Sequence, residues 1–89
     1  MATWNEAKRL SNLEEHGIDF NDLDEVFEFP MLTIEDDRRA YGEQRLQSLA
    51  WLRGRVVFMV WVDRELDVHI ISCREATKHE TKQYFKDIQ

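Results

Sequence analysis

The sequence predicts an α+β domain: two N-terminal helices, a four-stranded antiparallel meander and a C-terminal helix. Three observations predict it. A seven-residue apolar run, Val56 to Val62, is bounded by Gly54 and by Asp63-Arg64-Glu65. Such a β-branched and aromatic run reads as a central strand with both faces covered. Shorter strand-like runs lie on either side of it. Helical spacing of apolar residues occurs only towards the two ends of the chain.

Each element has a local reason. Asn5 is a plausible N-cap for a helix over about Glu6 to Glu15, and Gly17 is a plausible stop because glycine takes the left-handed conformation without steric cost. Ala7, Leu10 and Leu13 fall near one side of that helix. A second short helix is expected over about Asn21 to Phe27, with Phe20, Leu23, Val26 and Phe27 as contacts and Pro30 ending it. Met31 to Glu35 reads as a short strand, Asp36 to Arg39 as a charged loop, and Glu43 to Leu52 as a second strand after Tyr41-Gly42. Arg53-Gly54 suits a two-residue hairpin turn, which opposes Leu52 with Arg55, Trp51 with Val56 and Leu49 with Phe58. The last strand is DVHIISC, ending at Cys73. Which face His69 takes depends on the turn at 63–67. An even loop count puts Val68, Ile70, Ser72 and Arg74 on the face of Arg55, and an odd count puts His69, Ile71 and Cys73 there. Glu75 to Ile88 is a helix, packed through Thr77, Thr81, Tyr84, Phe85 and Ile88, with Lys78, Lys82 and Lys86 continuing a basic stripe from Arg74.

Eighty-nine residues allow one domain, 1–89. The net charge of −6 argues against simple electrostatic binding of nucleic acid. Its distribution is uneven: up to Asp37 eleven acids face only Lys8 and Arg9, whereas the remainder is net basic. A lone cysteine, Cys73, excludes an internal disulfide and fits a reducing cytoplasm. Met1-Ala2-Thr3-Trp4 shows no signal pattern, and seven apolar residues fall far short of a membrane span. Trp51, Met59 and Trp61 put apolar bulk on both sheet faces, so an interface is expected, with a second copy or another protein. No CxxC pair, HExxH, Walker loop or GxSxG supports a metal, nucleotide or serine-hydrolase reading.

The ordered set of pieces resembles the BrnT toxin family of bacterial type II toxin–antitoxin systems. The matching pieces are Trp4 to Lys8, Asn12, His16-Gly17-Ile18-Asp19-Phe20, Val26-Phe27, Pro30, Glu43-x-Arg45, Gly54-Arg55, Val68 to Arg74, Ala76, Glu80 and Tyr84. The chain departs from the family pattern at Glu15, where a lysine is usual, at His69, where an arginine is usual, and around Ala50, where a glycine is usual. The resemblance implies a RelE-like fold and a metal-free endoribonuclease with no cofactor. It implies a cognate antitoxin, BrnA, with operator DNA bound only through the toxin–antitoxin complex.

Metal-free RNA cleavage needs a base for the 2′-hydroxyl, positive charge for the transition state and an acid for the leaving 5′ oxygen. Arg55, Arg74 and Arg45 are the candidate cations, because a guanidinium holds two phosphate oxygens and stays charged. They are expected to converge on one shallow pocket. His16, His69 and Glu43 are the candidate acids or bases, and Tyr84 is a candidate hydroxyl donor. Lys78, Lys82 and Arg53 are candidate contacts to RNA phosphates outside the cut. The alternative is a catalytically weak relative that serves as a protein-binding module.

Overall fold

The computed structural model describes residues 1–37 and 42–88. The expected charged loop therefore falls partly, and Tyr41 wholly, outside the described residues. Strand β1 (Ala2–Trp4) is followed by helix α1 (Glu6–His16), a 3₁₀ helix (Phe20–Glu28), β2 (Leu32–Asp36), β3 (Arg45–Leu52), β4 (Arg55–Asp63), β5 (Val68–Glu75) and helix α2 (Lys78–Asp87). The strands form one sheet in the order β1-β5-β4-β3-β2.

The meander from β2 to β5 is antiparallel throughout, as expected. Two features correct the expected layout. The sheet has five strands rather than four, because Ala2 to Trp4 pairs in parallel with Val68 to Ile70. The second helix is 3₁₀ rather than α. Phe20, Leu23 and Val26 recur every three residues and are all fully buried. Three residues per turn aligns such side chains in one row, so the 3₁₀ form points all of them at the sheet.

Local chemistry explains the ends of the elements. The Asn5 side chain accepts from the Lys8 amide, and Gly17, at φ 71°, closes α1 by donating its amide to the Leu13 carbonyl. Arg53 (φ 47°) and Gly54 (φ 89°) are both left-handed, as a type I′ turn requires, and the Leu52–Arg55 register is the expected one. Thr77, expected in the packing stripe of the last helix, instead caps it. Its hydroxyl accepts from the Glu80 amide while the Glu80 carboxylate accepts from the Thr77 amide.

The main core lies between one sheet face and the 3₁₀ helix. Phe20, Leu23 and Val26 meet Ala50, Leu52, Val57, Met59, Trp61, Ile70 and Cys73. Phe27 packs edge-on against Trp61 with ring centroids 5.1 Å apart. Met59 is 0% and Trp61 7% exposed, so these two do not supply the expected interface. Leu10 and Leu13 are also not the buried face of α1, since both are exposed. That helix instead docks on the β5 edge through Asn12, which is 6% exposed. The Asn12 amide donates to the carbonyls of Ile18 and Cys73, and its oxygen accepts from the Cys73 amide. The side chain thus supplies the hydrogen bonds that a neighbouring strand would give.

One residue in β5 decides which side Ser72, Cys73 and Arg74 take. Asp63 pairs with Val68 and Trp61 with Ile70, so the turn has an even length and places Val68 and Ile70 on the core face. Val60 then pairs with Ser72 rather than Ile71, which makes Ile71 a bulge. Parity reverses beyond it. Cys73 joins Met59 in the core, while Ser72 and Arg74 join Val60 and Phe58 on the opposite face. The even-count expectation therefore holds for Val68 and Ile70 and fails for Ser72 and Arg74. Helix α2 crosses this second face, with Phe85 edge-on to Trp51 and the Tyr84 hydroxyl donating to the Pro30 carbonyl at 2.9 Å.

Candidate functional site

The second sheet face carries the candidate site. Arg74 stands on β5 with its guanidinium carbon 4.3 Å from the Phe58 ring centroid, a cation–π contact. Its two terminal nitrogens donate to the two Glu80 oxygens at 2.8 and 3.1 Å, and one also donates to the Glu75 carbonyl. Glu80 is the same residue that closes the capping box of α2. A helix start thus fixes the plane of an arginine on the sheet. These contacts use three of the five guanidinium hydrogens. The side chain remains 37% exposed.

Arg74 and His16 line one cavity of about 300 Å³, together with Phe58, Val60, Ser72 and Cys73. His16 arrives from the C-terminus of α1, one residue before the Gly17 stop, and lies 3.7 Å from Glu15. Cys73 turns its side chain to the core, and burial pushes its thiol up to about 12, so it offers no nucleophile at neutral pH. The Arg74 hydrogen bonds hold the Glu80 carboxyl down at about 2. Glu80 is therefore ionised and an acceptor at physiological pH, far from the value suited to a general base.

That depression has a consequence for stability. A carboxyl whose folded pKa lies below its ordinary 4.5 stabilises the fold above that pH and loses the contribution as pH falls towards 2. Melting temperature is expected to fall across this window. In Glu80→Gln the fall should be shallower, although Glu6, also held at about 2 by Arg9, keeps some acid sensitivity. An unchanged acid profile in the variant would show that the Arg74–Glu80 pair contributes nothing.

The other candidates are dispersed, and the three arginines do not converge. Arg45 begins β3 opposite Asp36, whereas Arg55 pairs with Leu52 at the other end of the strand. Seven residues of strand separate those rows, about 23 Å. Arg55 binds Glu75 at 3.2 Å in a separate cleft at the hairpin end of the sheet, which Lys78 and Lys82 also line. Arg53 turns away to Glu25 and Asp22 of the 3₁₀ helix. Glu43 faces Arg64 at 3.5 Å, near the opposite end. His69 shares the second face but lies before the bulge, with Nδ1 2.9 Å from the Thr3 hydroxyl. Burial, and then the Arg64 charge, lower its pKa and favour the neutral ring. Tyr84 is 4% exposed and its hydroxyl is used by Pro30.

Sequence reasoning left out Phe58 and Ser72 as parts of the Arg74 site. Phe58 had a legible signal, since the hairpin register fixes its face. The place of Ser72 depended on the bulge, which leaves no mark in the apolar pattern.

Among the described residues no helix is long and apolar enough to cross a membrane, and no three His, Cys, Asp or Glu side chains are grouped to hold a metal ion. A search of curated proteins finds no match. Residues 4–80 match the family model described as "Ribonuclease toxin, BrnT, of type II toxin-antitoxin system". With that match covering most of the 89 residues, the chain belongs to the BrnT family of ribonuclease toxins, whose type II systems pair each toxin with an antitoxin.

Proposed function

We propose that this chain is an endoribonuclease whose reacting centre is the cavity between Arg74 and His16. The observation that carries the reading is the oriented Arg74 guanidinium sharing one cavity with an imidazole. The family adds to it. Dispersal of Arg45 and Arg55 removes the composite three-arginine site, so the proposal rests on Arg74 as its single cation.

The reaction uses side chains alone. The His16 ring, as base, takes the proton of the ribose 2′-hydroxyl. The 2′ oxygen bonds to phosphorus, the bond to the 5′ oxygen breaks, and that oxygen takes a proton from water. The hydroxide left behind is neutralised by the proton on the imidazolium, which restores the neutral ring. The products are a 2′,3′-cyclic phosphate and a 5′-hydroxyl end. Arg74 stabilises the charge that builds on the equatorial phosphate oxygens, and Phe58 and Glu80 keep its plane fixed while it does so. Because the nucleophile belongs to the substrate, holding the ribose and phosphate still supplies much of the effect.

Incubation with unstructured RNA in the presence of EDTA is the test. Cleavage with cyclic phosphate ends is the expected result. Intact RNA, together with normal growth on expression without an antitoxin, would overturn it. We further propose that the fold is RelE-like and that 1–89 is one domain. The antitoxin is BrnA-like, operator DNA is met only through the complex, and the site of action is the cytoplasm. A homodimer is the remaining partner proposal, and sedimentation of the free protein decides it.

The second reading is a binding module with weak activity. What favours it is that Arg55 and Arg74 each have a carboxylate partner. It predicts that Arg74→Ala leaves RNA cleavage unchanged.

A further inference from the structure

At the hairpin end of the sheet, Trp51, Phe85, Arg55, Lys78 and Lys82 line a cleft of about 470 Å³. Residues from β3, β4, β5 and α2 build it. Phe85 is 50% exposed, and its ring meets Trp51 edge-on at 5.9 Å and 69°. An exposed Phe85 ring against a partly buried Trp51 ring, beside three cations, is not explained by packing alone. One carboxylate, Glu75, also lines the cleft and pairs with Arg55. That pair is well exposed on both sides, so an arriving phosphate can replace it at little cost.

Along the second face, the Trp51–Val56 row is one step from the row of Leu49, Phe58 and Arg74. One step is two residues, roughly 7 Å of strand. The cleft volume lies within the usual range for a small-ligand site. Exposed rings attract the faces of unpaired bases, which a duplex keeps stacked on one another.

We infer that this cleft holds one unpaired nucleotide of the RNA, with its base on Trp51 and Phe85 and its phosphate on Arg55, Lys78 and Lys82. The inference rests on the ribonuclease reading and adds to it a preference for single-stranded substrate, set away from the cut. Arg55 and the two lysines then act in binding rather than in the bond-breaking step.

The probe is a fluorescently labelled single-stranded RNA with every ribose 2′-O-methylated, which binds but cannot cyclise. Anisotropy titration of the full chain is expected to show Trp51→Ala and Phe85→Ala each weakening affinity by roughly five- to a hundred-fold, with little change in salt dependence. Lys78→Gln and Lys82→Gln should each reduce the salt slope by about 0.7. Phe85→Leu keeps the apolar bulk and removes the ring, so a weakened but fully folded Phe85→Leu separates stacking from misfolding. Unchanged affinity in both Trp51→Ala and Phe85→Leu overturns the inference, as does a wild-type chain that does not bind the probe. Cleavage of unmodified RNA is read in parallel. Cleavage without ring-dependent binding removes the cleft and leaves the nuclease. Ring-dependent binding without cleavage removes the nuclease and leaves the cleft.

Discussion

Replacing Arg74 by alanine is expected to lower the rate of RNA cleavage by roughly a hundred- to a thousand-fold, the usual loss when one preorganised transition-state donor is removed. The effect should be large because, among the described residues, no second arginine or lysine lines the Arg74 cavity. Arg55 and Arg45 are held elsewhere, so neither substitutes for it. Arg74→Lys keeps the charge but loses the two-pronged contact to Glu80 and the flat stacking on Phe58, and should recover only a small part of the rate. Affinity for the methylated RNA should fall far less than the rate in Arg74→Ala, which separates chemistry from binding. The variant must also stay folded at the assay temperature. Losing the Arg74–Glu80 pair lowers its melting temperature, but Glu80 keeps its cap contacts to Thr77, so a folded variant is expected. Wild-type cleavage rates in Arg74→Ala would remove this residue from the reaction and favour the binding-module reading.

The largest expected effect on stability is at Asn12. Its three hydrogen bonds are buried, and two of them satisfy the backbone of Cys73 on the part of the β5 edge that β1 does not reach. Asn12→Leu is close in size but leaves the Cys73 amide, the Cys73 carbonyl and the Ile18 carbonyl without this partner. Orphaning a buried polar group costs on the order of 1–3 kcal/mol, and partial rearrangement of the edge recovers some of that. A net loss of about 3 kcal/mol is expected, which for a domain of this size lowers the melting temperature by roughly 12–24 °C. Urea denaturation gives the same quantity from the midpoint at constant slope. A loss under about 1 kcal/mol would mean that α1 holds the β5 edge by other contacts.

The legible parts of the fold were those with strong local chemistry. Arg53-Gly54 fixed the β3–β4 register to the residue because a two-residue loop leaves no freedom. Asn5 and Gly17 marked α1 at both ends. β1 was missed because three residues carry no periodicity and its partners at Val68 to Ile70 are distant in the chain. The 3₁₀ helix was read as α, although the three-residue spacing of Phe20, Leu23 and Val26 was its signature. The candidate site was legible as residue types but not as geometry. Lys78, Lys82 and Arg55 were each visible, yet their union with Trp51 and Phe85 depended on how α2 crosses the sheet. Convergence of the arginines failed because the hairpin register itself sends Arg45 and Arg55 to opposite ends of β3.

The extra residue at Ile71 makes the set of groups shown on the second face sensitive to chain length as well as to side-chain identity. Shortening β5 by one residue there would bring the guanidinium inward and send the sulfur outward, without altering either amino acid. Exchanges of this strand between relatives therefore have to carry the inserted position along with the arginine. Two relatives that share every charged residue but differ by that single spacer would present different groups on this face.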